Sequence, residues 1–300
     1  MVDYTGKVAI VTGAASGIGL GIAQQCAQEG MRIMLADLDL PGLEREGKGL
    51  AASGAQVSWC RTDVTSENDW TELIEKTLQQ YGQIDCLFSN AGISFNKTLA
   101  TTTEAEWKWI FDVNFWSHVK AFKAILPTML AQETGGHITI TASFAAFVAP
   151  ATMVPYACTK SAVLSLAEGM RHELDMTGQG KIKLSVVMPA YVVSNIQHNE
   201  AARPTDCRKL EATSNEIDRA VWAKITEDIK APNIYNGAIS GEVAGERILD
   251  QMKRGCFYIY THRNFVKALA YEKTGRMLQD KPPVEPGSFM AEHYARKFND

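Results

Sequence analysis

With 300 residues, of which 46% are hydrophobic and 21% charged, the chain has enough apolar material for one large α/β core and too much for a chain disordered throughout. Thirty-four acidic against thirty basic residues give a net charge of −4, and no basic stripe interrupts the balance. A main role in neutralising nucleic-acid phosphate is therefore excluded, and no nucleic-acid partner is expected.

The six cysteines, Cys26, Cys60, Cys86, Cys158, Cys207 and Cys256, form no C-x-x-C pair and have no histidine at a zinc-like spacing. Neither a metal site nor a disulfide framework is predicted, and the scattered thiols suit a reducing compartment. Residues 1–16 lack a basic region followed by an apolar run, and no stretch approaches the roughly 20 apolar residues of a spanning helix. A soluble cytoplasmic protein without a membrane partner is expected.

In chain order, a first strand at 7–11 runs into Thr12-Gly13-Ala14-Ala15-Ser16-Gly17-Ile18-Gly19 and then a helix at 17–29. Glycines at this turn permit close approach to a pyrophosphate, and the helix N-terminus offers unpaired N–H groups and a positive dipole end. The spacing is G-x-x-x-G-x-G, and a glycine-rich turn alone serves equally as a strand-to-helix connection. Its position after the first strand favours dinucleotide binding. A second strand at 32–36 leads to Asp37, about 20 residues beyond the glycines, where a carboxylate accepts from an adenosine ribose and repels a 2′-phosphate. Ser16 and Leu38 occupy the positions best placed to compensate, so no Arg or Lys is expected beside that ribose and NAD is the predicted cofactor. The other reading makes Asp37 a solvated turn residue.

The third strand, 56–60, ends before Asp63-Val64, and a helix at 69–81 follows. Asp63 at a strand's carboxyl end suits an adenine amino group, or else an N-cap. The fourth strand, 84–89, ends in Asn90-Ala91-Gly92, small enough for close passage beside a cofactor and equally an ordinary turn. After a helix at 103–130 and a strand at 137–142 comes Ser143, then a helix at 155–176 carrying Tyr156-Ala157-Cys158-Thr159-Lys160. Residues four apart share a helix face, so the Lys160 ammonium can lie beside whatever Tyr156 touches. A phenol with a pKa near 10 needs about 4 kcal/mol of preferential phenolate stabilisation to serve as a base near pH 7. Taken alone, Y-x-x-x-K is also a common surface pair.

A sixth strand at 183–188 precedes a polar, turn-rich stretch at 194–240, at the edge where ligands bind in open α/β sheets, and this stretch is read as a substrate lid. A seventh strand at 256–260 precedes a C-terminal extension at 262–300. Near-continuous apolar strands alternating with helices predict α/β architecture: one Rossmann domain over 1–300, a doubly wound parallel sheet of about seven strands with helices on both faces.

Taken together, T-G-A-A-S-G-I-G, Asp63-Val64, N-A-G, Asn114, Ser143 and Y-x-x-x-K resemble the short-chain dehydrogenase/reductase family over about residues 5–265. The resemblance implies that Tyr156 is the general acid/base, that Lys160 lowers its pKa and holds the nicotinamide ribose, that Ser143 orients the substrate oxygen and that Asn114 supports a proton-relay water. It also implies nicotinamide contacts from Val192 and Ser194, and a homodimer or homotetramer. The chain departs from the family's Pro-Gly after the sixth strand, reading Pro189-Ala190, which should narrow backbone freedom there.

Phe144, Phe147, Val148 and Met153, with Tyr191, Ile196, His198, Pro204 and Trp222 of the lid, suit a bulky apolar or aromatic secondary alcohol, or else ordinary packing. Ser194-Asn195-Ile196, Arg203-Pro204 and Phe257-Tyr258-Ile259 resemble the Cα-dehydrogenase branch that oxidises benzylic alcohols of lignin-derived aryl ethers. Hydroxysteroid oxidation, NADPH-dependent carbonyl reduction and a non-catalytic dinucleotide-binding regulator are the alternatives. His118 and His172 are expected to be structural, on helices that pack between subunits, and His198 is the histidine expected near substrate.

Overall fold

Val8–Thr12 (β1) is buried along its whole length, as expected for a strand covered on both faces. In the computed structural model, which describes residues 2–178, 180–196, 203, 216, 219–221, 223 and 237–283, it is the third strand across a seven-stranded sheet. The other strands are Arg32–Asp37 (β2), Gln56–Arg61 (β3), Cys86–Ser89 (β4), Gly136–Thr141 (β5), Ile182–Met188 (β6) and Tyr258–Tyr260 (β7). All pair in parallel, in the order β3-β2-β1-β4-β5-β6-β7. The order reverses between β1 and β4, and that switch point opens the crevice in which ligands bind in such sheets.

Side-chain alternation divides the core into two layers. Ala9, Val11, Ile33, Leu35, Cys86 and Phe88 face Gly17–Gln28 (α1), Leu40–Ala52 (α2) and Gly241–Lys253 (α7). Ile10, Met34, Leu87, Ile138, Ile140 and Val186 face Glu67–Tyr81 (α3), Ser117–Ala131 (α5), Val154–Met176 (α6) and Arg263–Leu278 (α8).

The helix expected at 103–130 is divided. Glu104–Phe111 (α4) runs into a π-helical segment, Asp112–Trp116, before α5. A π turn places one extra residue in the helix and re-aims the side chains around it. The tail after β7 also differs from expectation, because α8 buries Phe265, Val266 and Leu269 in the main core. Most of the lid at 194–240, including His198, Pro204 and Trp222, and the extension beyond residue 283 lie outside the described residues.

Helices α1 and α7 meet on glycines. A Cβ on Gly21 would fall 1.7 Å from the Gly241 carbonyl oxygen, and one on Gly245 would fall 2.2 Å from the Gly21 carbonyl oxygen. This backbone-to-backbone seam, one turn into α1, fixes the helix whose N-terminus forms the crevice wall.

The two ends of the 194–240 stretch are tied together at its base. Val192 bridges Ile239, Ala190 N–H donates to Thr261 Oγ1 at 3.1 Å, and His262 Nε2 lies 2.8 Å from the Gly237 carbonyl. Ala190 has an ordinary φ, since Asp280 is the only non-glycine residue with positive φ among those described.

Candidate active site

A cleft of about 950 Å³ runs along the carboxyl ends of β1 to β6. At one end lie Ser16, Ile18 and Asp37, in the middle Asp63, Val64, Asn90, Ala91 and Gly92, and at the other end Tyr156, Lys160 and Ser194. Most of the sequence candidates therefore converge on one surface, while Gly17, Gly19, Asn114, Ser143 and Val192 are not among its lining residues.

The glycine turn is built around two close approaches. Gly13 has φ +67 and its Cβ position lies 3.0 Å from the Ala91 Cα, while a Cβ on Gly19 would fall 2.1 Å from the Gly13 carbonyl. Ser16 caps α1 without a side-chain bond to it, and Gly17 lies under Ser194, whose Cβ would be 2.5 Å from a Cβ on Gly17. The side chain of Asp37 braces this turn: Oδ2 accepts from Ala15 N–H at 3.0 Å and Oδ1 from Asp39 N–H at 3.1 Å. Burial raises its pKa above the usual carboxylate value against the pull of those donors.

Asn90 clamps the ends of three strands. Its N–H and Nδ2 donate to Thr12 Oγ1 and the Thr12 carbonyl at 2.9 and 3.1 Å, and its Oδ1 accepts from Thr141 Oγ1 at 3.2 Å. Asp63 Oδ1 accepts from Thr65 N–H and Oγ1 at 2.9 and 2.7 Å, so this carboxylate shapes its own loop at the cleft wall.

Asn114, in the π segment, is fully buried. Its Oδ1 accepts from Ile93 N–H at 2.8 Å, and its Nδ2 donates to the Ile93 carbonyl at 2.9 Å and Thr159 Oγ1 at 3.2 Å. It therefore ties the loop after β4 to α6 from behind the cleft. The position of a Cβ on Gly92 lies 3.3 Å from Asn114 Oδ1 and 3.7 Å from Lys160 Nζ, so the loop after β4 passes close to both groups.

Tyr156 packs in an apolar cluster with Ile93, Trp109, Ile110, Ala145 and Ala157, flanked by Phe95, Met153 and Ile196. Trp109 and Phe95 stack with ring centroids 6.2 Å apart and planes within 3°. Burial pushes the Tyr156 phenol above its ordinary pKa, partly offset by a hydrogen bond with Ser143. Ser143 Oγ also accepts from Ala145 N–H at 3.1 Å, which fixes the hydroxyl beside the phenol. Lys160 Nζ donates to the Thr141 carbonyl at 2.8 Å and lies 5.7 Å from the Tyr156 ring centroid. Its pKa is lowered by burial to about 7.

The remaining expectations divide. Val192 lies in the bridge to Ile239, two residues before the cleft-lining Ser194. Phe144, expected in the substrate wall, packs instead with Tyr191 and Phe265, and Val148 joins the main core, whereas Met153 and Ile196 reach the Tyr156 cluster. His118 is 1% exposed inside the protomer, and His172 is exposed on α6.

Sequence reasoning missed Arg45, Arg61, Lys108, Trp109 and Asp112 in the cleft wall. The expectation that no Arg or Lys lies near Asp37 is corrected by Arg45 and Arg61. Arg61 is the in-register partner of Asp37 on β3, a proximity that strand pairing alone would have revealed. At the rim, the buried Glu106 carboxylate accepts from Lys97 Nζ at 2.8 and 3.0 Å and pairs with Arg203.

The crowded glycine turn, the half-buried start of α1 at the cleft wall and a long cleft ending at Tyr156 and Lys160 fit a dinucleotide lying across the switch point. Residues 7–205 match the sequence profile described as short chain dehydrogenase. The chain is 29% identical over 283 residues to a "CLA biosynthesis dehydrogenase/reductase" of Lactiplantibacillus plantarum, covering 94% of this chain and 97% of the relative. It is 33% identical over 224 residues to a 1-deoxy-11-beta-hydroxypentalenate dehydrogenase of Streptomyces avermitilis, covering 74% and 82%. A short chain dehydrogenase/reductase from Burkholderia phymatum, solved in complex with NAD, superposes with a TM-score of 0.85 at 30% identity over 95% of this chain and 99% of that one. The chain belongs to the short-chain dehydrogenase/reductase family. It is an oxidoreductase of the alcohol dehydrogenase/ketone reductase type, in a family that uses NAD or NADP.

Proposed function

We propose that this enzyme interconverts a bulky aromatic or polycyclic secondary alcohol and its ketone with NAD. The observation that carries this reading is the position of Tyr156. Its ring is embedded in an apolar wall of Trp109, Ile93, Met153 and Ile196, and it shares with Lys160 the end of a cleft that begins at Asp37. A sugar would find few hydrogen-bond partners on that wall, whereas a flat apolar ring would find the Trp109–Phe95 stack.

Gly13, Ser16, Gly17, Ile18 and Gly19 would hold the pyrophosphate, Asp37 the adenosine ribose, Asp63 and Val64 the adenine, and Asn90, Ala91 and Gly92 the cofactor's central span. Lys160 would hold the nicotinamide ribose, with Ser194 and Val192 near the carboxamide. The bound dinucleotide supplies the hydride acceptor in oxidation and the donor in reduction. In oxidation Tyr156 Oη removes the hydroxyl proton, and in reduction it returns one. Ser143 holds the substrate oxygen beside that phenol. The Lys160 ammonium stabilises the phenolate, and Asn114 keeps the β4 loop and α6 in register while supporting a relay water.

Asp37 favours NAD by accepting ribose hydroxyl protons and repelling a 2′-phosphate. A second reading, NADPH-dependent carbonyl reduction, is favoured by Arg45 and Arg61, basic residues that line the cleft together with Asp37. The resemblance to the Cα-dehydrogenase branch favours benzylic alcohols, and the similarity to the hydroxypentalenate dehydrogenase favours polycyclic ones. The domain reading places a lid at 194–240 and an extension at 262–300 on one Rossmann unit. Cytoplasmic location and a homodimer or homotetramer complete the proposal. The exposed Trp116, at 49%, continues a ring ladder from Trp107, Phe111 and Phe115 that suits a subunit contact.

The test is reduced-nicotinamide absorbance with benzylic, steroidal and aliphatic secondary alcohols, each with NAD and NADP. Turnover of a benzylic or polycyclic alcohol with NAD is expected. Preference for NADP would overturn the cofactor reading, and binding without turnover across the panel would favour a dinucleotide-binding regulator.

A further inference from the structure

His118 lies four residues after Asn114 and packs inward from α5 with 1% exposure. Its Nδ1 is 2.7 Å from Ser89 Oγ, while Nε2 is buried and has no hydrogen-bond partner. Ser89 pairs in register with Ile140, and Thr141, the next residue on β5, gives its carbonyl to Lys160 Nζ at 2.8 Å. His118 and Lys160 thus approach the ends of neighbouring strands, which lie about 4.8 Å apart, from the same helical layer. Ser89 faces the imidazole from β4, and Lys160 on α6 is the charged group acting on it. Around Lys160 itself stand Thr141 from β5, Tyr156 from α6, and Asn114 near Gly92.

Burial and the Lys160 charge hold His118 neutral, with a pKa of about 3, so it keeps one donor and one acceptor nitrogen at working pH. A buried ring nitrogen left without a partner, in the helical layer that also carries an ammonium, is a natural seat for one water.

We infer that His118 is a positioning residue for Lys160: Nδ1–H donates to Ser89, and Nε2 accepts from a buried water that in turn accepts from the Lys160 ammonium. This rests on the reading of Tyr156 and Lys160 as the reaction centre. The link stabilises the charged lysine and, through it, the Tyr156 phenolate. Removing it makes the ammonium harder to keep and the phenolate harder to form, so the rise of oxidation rate with pH moves to higher pH.

The experiment measures pH–rate profiles for alcohol oxidation by the full-length enzyme and by His118→Phe, His118→Gln and Ser89→Ala, with dinucleotide affinity by fluorescence. His118→Phe is expected to move the rising limb up by about half a unit to one unit, a three- to tenfold loss at neutral pH recovered in alkali. His118→Gln, whose amide oxygen accepts, restores at least half of that shift, and affinity changes less than twofold. Ser89→Ala, which removes one oxygen, is expected to shift the limb in the same direction and serves if His118→Phe does not fold. Nitrogen-15 spectra should show His118 protonated on Nδ1. A limb that stays in place in the folded variants, a uniform loss at all pH values, or an Nε2-protonated imidazole would each overturn the assignment. Tyr156→Phe is the control: if it still turns over, the reading of the centre fails, whereas its inactivity beside an unmoved His118→Phe profile removes only His118.

Discussion

Lys160 Nζ donates to the Thr141 carbonyl at 2.8 Å and stands 5.7 Å from the ring centroid of Tyr156, so the sheet, through β5, aims the lysine. An ammonium has three donors, and this bond fixes one of them. Lys160→Met should therefore lower turnover by at least about a hundredfold and weaken dinucleotide binding together. Lys160→Arg should recover little, because a planar guanidinium does not fill the position of a compact ammonium at the end of β5. Steady-state kinetics with fluorescence titration checks both.

Asp37 and Arg61 stand side by side at the ends of β2 and β3 with opposite expected effects on a 2′-phosphate. Asp37→Ala is expected to weaken NAD binding about tenfold or more, as loss of a charged hydrogen bond does, and to reduce the NAD-to-NADP affinity ratio. Arg61→Ala should raise that ratio. Dissociation constants for both dinucleotides decide the matter, and an unchanged ratio in Asp37→Ala would count against the carboxylate's role.

Gly245→Ala probes the α1–α7 seam. Its Cβ would lie 2.2 Å from the Gly21 carbonyl oxygen, where backbone has to move. A loss of about 1–3 kcal/mol, typical of overpacking, should appear as a lower melting temperature. Because α1 carries the glycine turn, dinucleotide affinity should fall with it.

The buried histidines set the acid limit of stability. His118 and His137 are both held near a pKa of about 3 by burial. His137 is further enclosed by Tyr4 Oη at 2.9 Å and Ser185 Oγ at 2.8 Å. Their folded values lie below the unfolded one of about 6.5, so the unfolded chain binds the extra protons. Their contribution is whole above about pH 6.5 and is lost as pH falls toward 3, by up to about 1.4 kcal/mol per pH unit for each histidine. Denaturant titrations from pH 7 to 4 should show this slope, and His137→Gln should reduce it by about half.

Much of the site was legible because the chemistry is local. The turn from Gly13 to Gly19 and the i, i+4 pair Tyr156–Lys160 each fall within one element, and strand ends place Asp37, Asp63 and Asn90 on a common edge. What escaped depends on contacts between elements. Arg61 reaches Asp37 only through strand register, and Trp109 lines the cleft from α4, a short helix that a continuous period at 103–130 concealed. Helix α2 buries only Gly42, Leu43 and Gly47, and so leaves little apolar periodicity to read. Phe144 and Phe147 follow Ser143 in the chain, yet nothing local tells that Phe144 turns toward Phe265 on α8 rather than toward substrate.

The central claim is that Tyr156 transfers the proton, and the most direct measurement compares the wild-type enzyme with Tyr156→Phe, following reduced-nicotinamide formation and dinucleotide binding on the same preparations. Removing only the phenolic oxygen leaves the ring in its cluster with Trp109 and Ile93. Turnover is expected to fall by about 10²–10⁴-fold, the usual contribution of a positioned acid/base, with dinucleotide affinity within about threefold of wild type. Turnover retained in Tyr156→Phe would contradict the assignment.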